Sequence, residues 1–227
     1  MSEKKVLCFT TSFKRYKMLR GCIRDIANQT YENIFHSVNI TYVNSIGTQY
    51  QEKKLEKMEF IFDDLKTKKN KLIFSENSHQ HINYIKAIIS VENFEDYDLF
   101  VKIDDDDIYK KDYVKTIVDY FDNNDVDVTS SAINYLLNGG NIFIGDYANL
   151  GVNTYPCNFR MPMTFAFNKK ALKLIINLNE TYGYEDNMWM DMWYENQLII
   201  DEIDNTKNII WHIHGKNIST SHLLIKD

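Results

Sequence analysis

Val6 to Thr11 is a short apolar, β-prone run, and the spacing changes just after it. From Tyr16 onward Leu19, Ile23 and Ile26 recur three to four residues apart, which predicts a strand followed by an amphipathic helix. Asn28-Gln29-Thr30 ends that helix, and Ile34 to Val43 then alternates as a half-buried strand does. Gln49 to Lys68 reads as a charged amphipathic helix carrying Leu55, Met58, Phe62 and Leu65; Leu72 to Phe74 reads as a short strand. Ile82 to Val91 follows as a helix with Ile85, Ile88 and Ile89 inward. Leu99 to Ile103 is apolar throughout except for Lys102, the pattern of a strand covered on both faces. Strand and helix thus alternate three times over before this fourth strand, which predicts an α/β fold with a parallel sheet and helices on both sides.

The second half is less regular. A helix is expected from Lys110 to Phe121, a strand from Val126 to Ser130, and a hairpin from Tyr135 to Ile144 around Asn138-Gly139-Gly140-Asn141. Met163 to Phe167 reads as a strand and Lys169 to Leu178 as a helix. No Pro/Gly/Ser linker interrupts the chain, so residues 1–227 are read as one domain. An ordered half, 1–109, precedes a looser and more antiparallel half, 110–227. In open α/β sheets ligands gather at the carboxyl ends of the strands, which places a nucleotide in the first half and a second substrate in the later one.

Composition narrows the function classes. Apolar residues at 44% and charged residues at 26% are those of a globular chain with a real core. The net charge of -6 argues against a nucleic-acid partner, whose phosphates would call for a basic surface. Three cysteines, Cys8, Cys22 and Cys157, have no metal-site spacing and make no disulfide framework, which fits a cytoplasmic chain. No apolar window is long enough for a transmembrane span, so any membrane contact is expected to be peripheral, at the inner face.

The strongest local signal is Ile103-Asp104-Asp105-Asp106-Asp107-Ile108. Four adjacent carboxylates repel one another, and here they follow a buried strand, where a site is expected. A divalent cation, Mn²⁺ or Mg²⁺, held by one or two of them and completed by a diphosphate accounts for the pattern, because these ions prefer oxygen ligands. In an extended segment Asp104 and Asp106 share one side and Asp105 and Asp107 the other, so one pair can serve the metal while Asp105 reaches a ribose. The bland alternative is a solvated acidic turn capping the helix at Lys110.

This run resembles the DxD region of GT-A glycosyltransferases of the family 2 type, and three other stretches resemble the same family in the same order. Thr11-Ser12-Phe13-Lys14-Arg15, with Leu19, Ile23 and Gln29-Thr30-Tyr31, is similar to the family's opening segment. Gly183-Tyr184-Glu185-Asp186-Asn187-Met188-Trp189 is similar to its "gyEDydlw" stretch, and Trp211-His212-Ile213-His214-Gly215 to its histidine-containing ending.

The resemblance implies a GT-A, Rossmann-like nucleotide-binding sheet with a more irregular acceptor half. It implies a metal-dependent, inverting transfer of a sugar from a nucleotide-sugar, UDP being the commonest nucleotide, to an acceptor. The acceptor would be a glycan, a lipid-linked or a protein-linked hydroxyl, in surface polysaccharide or lipooligosaccharide assembly. By the same resemblance Asp106, Asp104 and His214 are expected to hold the metal, with His212 as the rival of His214. Thr11, Phe13, Arg15, Asn83, Asp104 and Asp105 are expected at the nucleotide, Asp186 as the general base, and Glu185 with Trp189 at the acceptor.

Each assignment has a plainer counterpart. Glu185 and Asp186 suit a helix start by charge alone, and Met188, Trp189, Met192 and Trp193 recur at a spacing that ordinarily means core. The family's Asp pair after the second strand is missing; Asn39 stands in that region. Two other classes use similar residues: a nucleotidyltransferase or pyrophosphatase-like enzyme, and a catalytically silent carbohydrate-binding domain.

Overall fold

The computed structural model describes residues 3–43, 53, 56–60, 62–65, 67, 69–131, 135–138, 141–144, 164–178 and 185–213, with backbone alone described for 135–138, 141–144 and 211–213. Its centre is β1 (Val6–Phe13), which pairs in parallel with β2 (Ile34–Tyr42) on one side and β4 (Leu99–Lys102) on the other. β3 (Asn70–Glu76) extends the sheet beyond β2, again in parallel. Beyond β4 comes β9 (Phe165–Asn168), antiparallel to its neighbours β4 and β6 (Val128–Ser131). β10 (Ile200–Ile203) closes that edge in parallel with β6, giving the order β10-β6-β9-β4-β1-β2-β3. The parallel first half and the antiparallel turn of the second both follow the sequence pattern; β10 carries too short a run to be read from it.

The sheet is covered on both faces because its central strands are apolar at successive positions. Val6, Cys8, Val101 and Ile103 pack on one face with α1 (Tyr16–Ala27) and α3 (Tyr113–Asn123), through Cys22, Ile26, Val114 and Ile117. Leu7, Phe9 and Phe100 pack on the other face. They meet Tyr84 and Ile88 of α2 (Gln80–Ile89), α4 (Lys169–Ile175) and Trp189 and Trp193 of α5 (Glu185–Glu195). Ile89, expected to face inward, is 50% exposed, because Ile85 and Ile88 already fill the stripe of α2 that meets the sheet.

A second sheet is built of four strands. β5 (Ile108–Tyr109) pairs antiparallel with β11 (Ile209–Ile213), which runs parallel to β7 (Tyr135–Asn138). β7 and β8 (Asn141–Ile144) form the expected hairpin, with Asn138 opposite Asn141. Of the helix expected over 49–68, residues 53, 56–60 and 62 are helical and a 3-10 turn, Asp63–Leu65, follows; Met58, Phe62 and Leu65 are buried against Leu19 and Val38.

Candidate active site

The acid run leaves the sheet at the carboxyl end of β4. Ile103 prolongs the strand pairing by donating its N–H to the Phe9 carbonyl at 3.0 Å, and the chain then turns through 104–107 into β5. Two buried tyrosines fix this turn: the Asp104 N–H donates to the Tyr109 hydroxyl at 2.8 Å, and the Tyr84 hydroxyl donates to Asp104 Oδ1 at 2.9 Å. Asp25 of α1 accepts the Tyr109 N–H at 3.0 Å. Just downstream, the Gln29 amide donates to the Lys110 carbonyl at 2.9 Å and accepts the Val114 N–H at 3.0 Å, while the Thr30 hydroxyl donates to Asp112 at 2.8 Å. The Gln29-Thr30 pair therefore fastens the end of α1 to the segment that follows the acids.

The carboxylates diverge. Asp105 and Asp106 turn toward Arg15, whose guanidinium lies 2.9 Å from Asp105 Oδ1 and also donates to Asp106. Arg15 reaches them from the strand-to-helix turn after β1, where Lys14 takes a left-handed backbone with φ of 59°. Burial pushes the Asp105 carboxyl up, to about 7, against the pull of Arg15. Burial would lower the Arg15 guanidinium, but Asp105, Asp106 and Asp104 outweigh it and hold it above its ordinary value.

Asp104 turns the other way. Its Oδ1 is 3.8 Å from the ammonium of Lys102, which is 1% exposed. The same ammonium lies 2.6 Å from Asp186 Oδ1 and 3.1 Å from Glu185 Oε1, at the start of α5, and 5.2 Å from the centre of the Tyr84 ring. Burial works against the charge on Lys102, and the carboxylates of Asp104, Asp186 and Glu185, with Tyr84, override it and hold the ammonium well above its usual value. The cluster sets three acids against one ammonium. Burial accordingly lifts the Asp186 carboxyl to about 8, with Glu185 and Asp104 adding to the rise and Lys102 opposing it.

The fold thus brings Asp104, Glu185 and Asp186 onto one cation, and Asp105 and Asp106 onto another. Thr11 and Phe13 lie on one side of the end of β1, two residues apart; Thr11 is nearly buried, and Phe13 is partly exposed with the Lys14 ammonium 4.7 Å from its ring centre.

Other expected residues are placed differently. Asp105, expected to reach a ribose, is 1% exposed and turned inward onto Arg15. Asn83 is buried and fastens the loop before α2: its amide donates to Asn77 and to the Ser78 carbonyl, and its oxygen accepts from the Ser78 hydroxyl. Asn39 is likewise engaged, donating to the Asn83 carbonyl and accepting from Ser75. Trp189 has no exposed face on which a sugar could stack. It packs among Phe9, Tyr84, Phe167 and Trp193, and its indole N–H donates to His81 Nδ1 at 2.8 Å. Helical spacing that reads as core is core here. His214 and the side chain of His212 lie outside the described residues, as do Gly183 and Tyr184.

Sequence reasoning passed over Lys102, Tyr84, Tyr109 and Asp25. Only Lys102 left a signal: a single cation in an otherwise apolar strand, immediately before four acids, is the natural counter-ion of whichever acids the fold buries.

The donor chemistry suits a hard divalent cation, since the turn offers carboxylate oxygens and neither oxygen of the buried Asp105 accepts a hydrogen bond among the described residues. Asp104 and Asp106 do not share one side as an extended segment would have them: the chain turns here, and they point apart onto Lys102 and Arg15. No three acid, histidine or cysteine side chains among the described residues converge to hold a metal by themselves. A groove of about 400 Å³ lined by Lys5, Ile34, Phe35 and Tyr97 lies at the amino ends of the strands, the opposite end from these carboxylates.

No family model matches the chain. No curated protein sequence matches it either. Solved structures do. The mannosyltransferase PcManGT from Pyrobaculum calidifontis, in complex with GDP-Man and Mn²⁺, superposes with a TM-score of 0.61 at 10% identity, over 96% of this chain and 59% of that one. S. aureus TarS 1-349 in complex with UDP-GlcNAc gives a TM-score of 0.60 at 16% identity, over 94% of this chain and 60% of that one. This is a GT-A-type glycosyltransferase fold. The chain spans about 60% of the length of those structures. No helix among the described residues is long and apolar enough to cross a membrane.

Proposed function

We propose that the protein is a metal-dependent, inverting glycosyltransferase that moves a sugar from a nucleotide-sugar to an acceptor hydroxyl. One observation carries the reading. Asp186 lies 84 residues from Lys102 in sequence, yet the ammonium of Lys102 touches it at 2.6 Å and faces Asp104 at 3.8 Å. The carboxylate fit to deprotonate an acceptor therefore stands beside the acid turn on which a diphosphate leaving group would be held. The GT-A fold, and neighbours solved with UDP-GlcNAc and with GDP-Man and Mn²⁺, support the same reading.

In this scheme Asp186 accepts the proton of the acceptor hydroxyl as that oxygen attacks the anomeric carbon and the bond to the diphosphate breaks. A base whose pKa lies near the working pH suits this step. Asp104 and Asp106, with His214, would hold a Mn²⁺ or Mg²⁺ ion, which when bound neutralises charge on the leaving diphosphate. Arg15 stands at the same edge and adds a second cation for the phosphates. Thr11 and Phe13 border the nucleobase, which we assign to a UDP donor. Glu185 shares Lys102 with Asp186 and keeps the start of α5 in place near the acceptor. The acceptor is a glycan or lipid-linked hydroxyl of surface polysaccharide or lipooligosaccharide synthesis, met at the cytoplasmic side of the membrane.

A phosphoryl-transfer enzyme fits less well. Such an enzyme needs several cations aimed at phosphates; Arg15 is assigned to them here, whereas Lys102 is engaged by Asp186 and Glu185. The test is release of nucleoside diphosphate from UDP- and GDP-sugars by the full chain, with Mn²⁺ or with chelator, alongside thermal shifts with the nucleotides. A nucleotide at 100 times its Kd should add about 2.7 kcal/mol of stability, raising Tm by about 5–10 °C. No shift and no release with any nucleotide would refute the proposal.

A further inference from the structure

Resting on that reading, we propose that Lys102 is a positioning residue for the transfer, holding the Asp186 carboxylate in register with the acid turn. Strand alternation puts Phe100, Lys102 and Asp104 on the face of β4 that α5 covers, whereas Leu99, Val101 and Ile103 belong to the core on the other face. Lys102 therefore projects into an aromatic wall containing Tyr84, and its ammonium meets the first two residues of α5. An apolar cluster in place of the ammonium and its acids would pack here without burying charge, so stability alone does not call for the cation. Nor does α5 need the cation to begin, because carboxylates at a helix start are favoured by the helix itself.

What Lys102 does that an apolar residue cannot is join two elements. Its stem belongs to the strand that ends in Asp104, and its head fixes Oδ1 of Asp186 at 2.6 Å, with Glu185 bracing the ammonium at 3.1 Å. Tyr84 completes the link by donating to Asp104 at 2.9 Å while its ring lies beside the ammonium. With one oxygen of Asp186 tied down, the carboxylate keeps a single orientation relative to the leaving-group side. Released, it can rotate and move, and a misplacement of about 1 Å can reduce turnover by about 100-fold.

The experiment is a double-mutant cycle of Lys102→Met and Asp186→Asn in the full chain, read as release of nucleoside diphosphate from UDP-N-acetylglucosamine and GDP-mannose and as Kd for UDP and GDP. Lys102→Met should lower kcat by about 10- to 100-fold and leave the nucleotide Kd within about twofold. In the Asp186→Asn background the same substitution should change kcat by less than about twofold, because Lys102 acts through a carboxylate that is already gone. Lys102→Arg should retain more activity than Lys102→Met. Losses that multiply in the double variant, a fall in nucleotide affinity matching the fall in kcat, or an unchanged kcat in folded Lys102→Met would each overturn the proposal. Should Lys102→Met not fold, the cycle is run in a Glu185→Gln background, where one carboxylate fewer faces the lost ammonium, with the same readings. A wild-type chain that releases nucleotide from neither donor and binds neither UDP nor GDP would bring down the transferase reading itself, a result distinct from active wild type with an indifferent Lys102.

Discussion

Acid should weaken this fold at His36 in a way that can be isolated. His36 lies in β2 opposite Cys8 of β1 and is 2% exposed. Its Nε2 is 2.9 Å from the Thr10 hydroxyl, and Nδ1 has no hydrogen-bond partner among the described residues. Burial pushes the imidazole down to about 3, from an ordinary 6.5. The folded value is the depressed one, so the unfolded chain takes up a proton first. The stabilisation is complete above the unfolded value and is lost as the pH falls from 6.5 toward 3. Between about pH 8 and about pH 5 the loss integrates to about 2 kcal/mol, or roughly 4–8 °C in Tm for a chain of this size. His36→Gln keeps a polar group for Thr10 and removes the titration. Urea unfolding of both proteins at the two pH values cancels every other titrating group. The wild type should lose about 2 kcal/mol more than the variant. Parallel losses, equal within about 0.5 kcal/mol, would mean that the imidazole is not buried neutral, and the reasoning would fail.

Asp186→Asn should lower turnover by about 10²- to 10⁴-fold while leaving nucleotide affinity unchanged, as single-turnover release of nucleoside diphosphate would show. Because burial lifts that carboxyl to about 8 and it must be ionised to accept a proton, kcat/KM of the wild type should rise with pH and level off above that value. Arg15→Met should weaken UDP binding by about 10- to 100-fold in calorimetric titration, the weight of a charge-assisted hydrogen bond. Trp189→Ala should destabilise the fold by about 3–5 kcal/mol in urea unfolding, because it hollows the core and leaves His81 without its donor.

The central sheet was legible because its strands announce themselves. Val6 to Thr11 and Leu99 to Ile103 are apolar at both parities, which only a strand covered on two faces tolerates, and the helical spacing after Tyr16 fixes the element between β1 and β2. β5 and β10 were not legible: the two residues of the one and the Ile-Asp-Glu-Ile of the other gain strand form only from partners far along the chain. The site divides in the same way. The acids at 104–107 stand at a strand end, and a strand end can be read. Whether a given side chain at that end faces solvent or a neighbour is decided by tertiary packing. Asn83 and Trp189 matched the motif positions but are engaged by the loop before α2 and by the aromatic core, and no local pattern records this. Lys102 looked like an interruption of a strand because its partners at 185 and 186 come so much later in the chain.

β9 has a consequence for how such a chain can be made. The strand that carries the acids is flanked on one side by β1, already synthesised, and on the other by Phe165–Asn168. While the ribosome is still producing the intervening residues, β4 presents a bare row of amides and carbonyls, the template on which stray strands pair. A nascent chain halted after residue 109 would keep that edge open. Residues 1–109 are therefore no cassette to be cut out and grafted elsewhere, because the strand that closes the free edge of β4 comes from the second half of the chain.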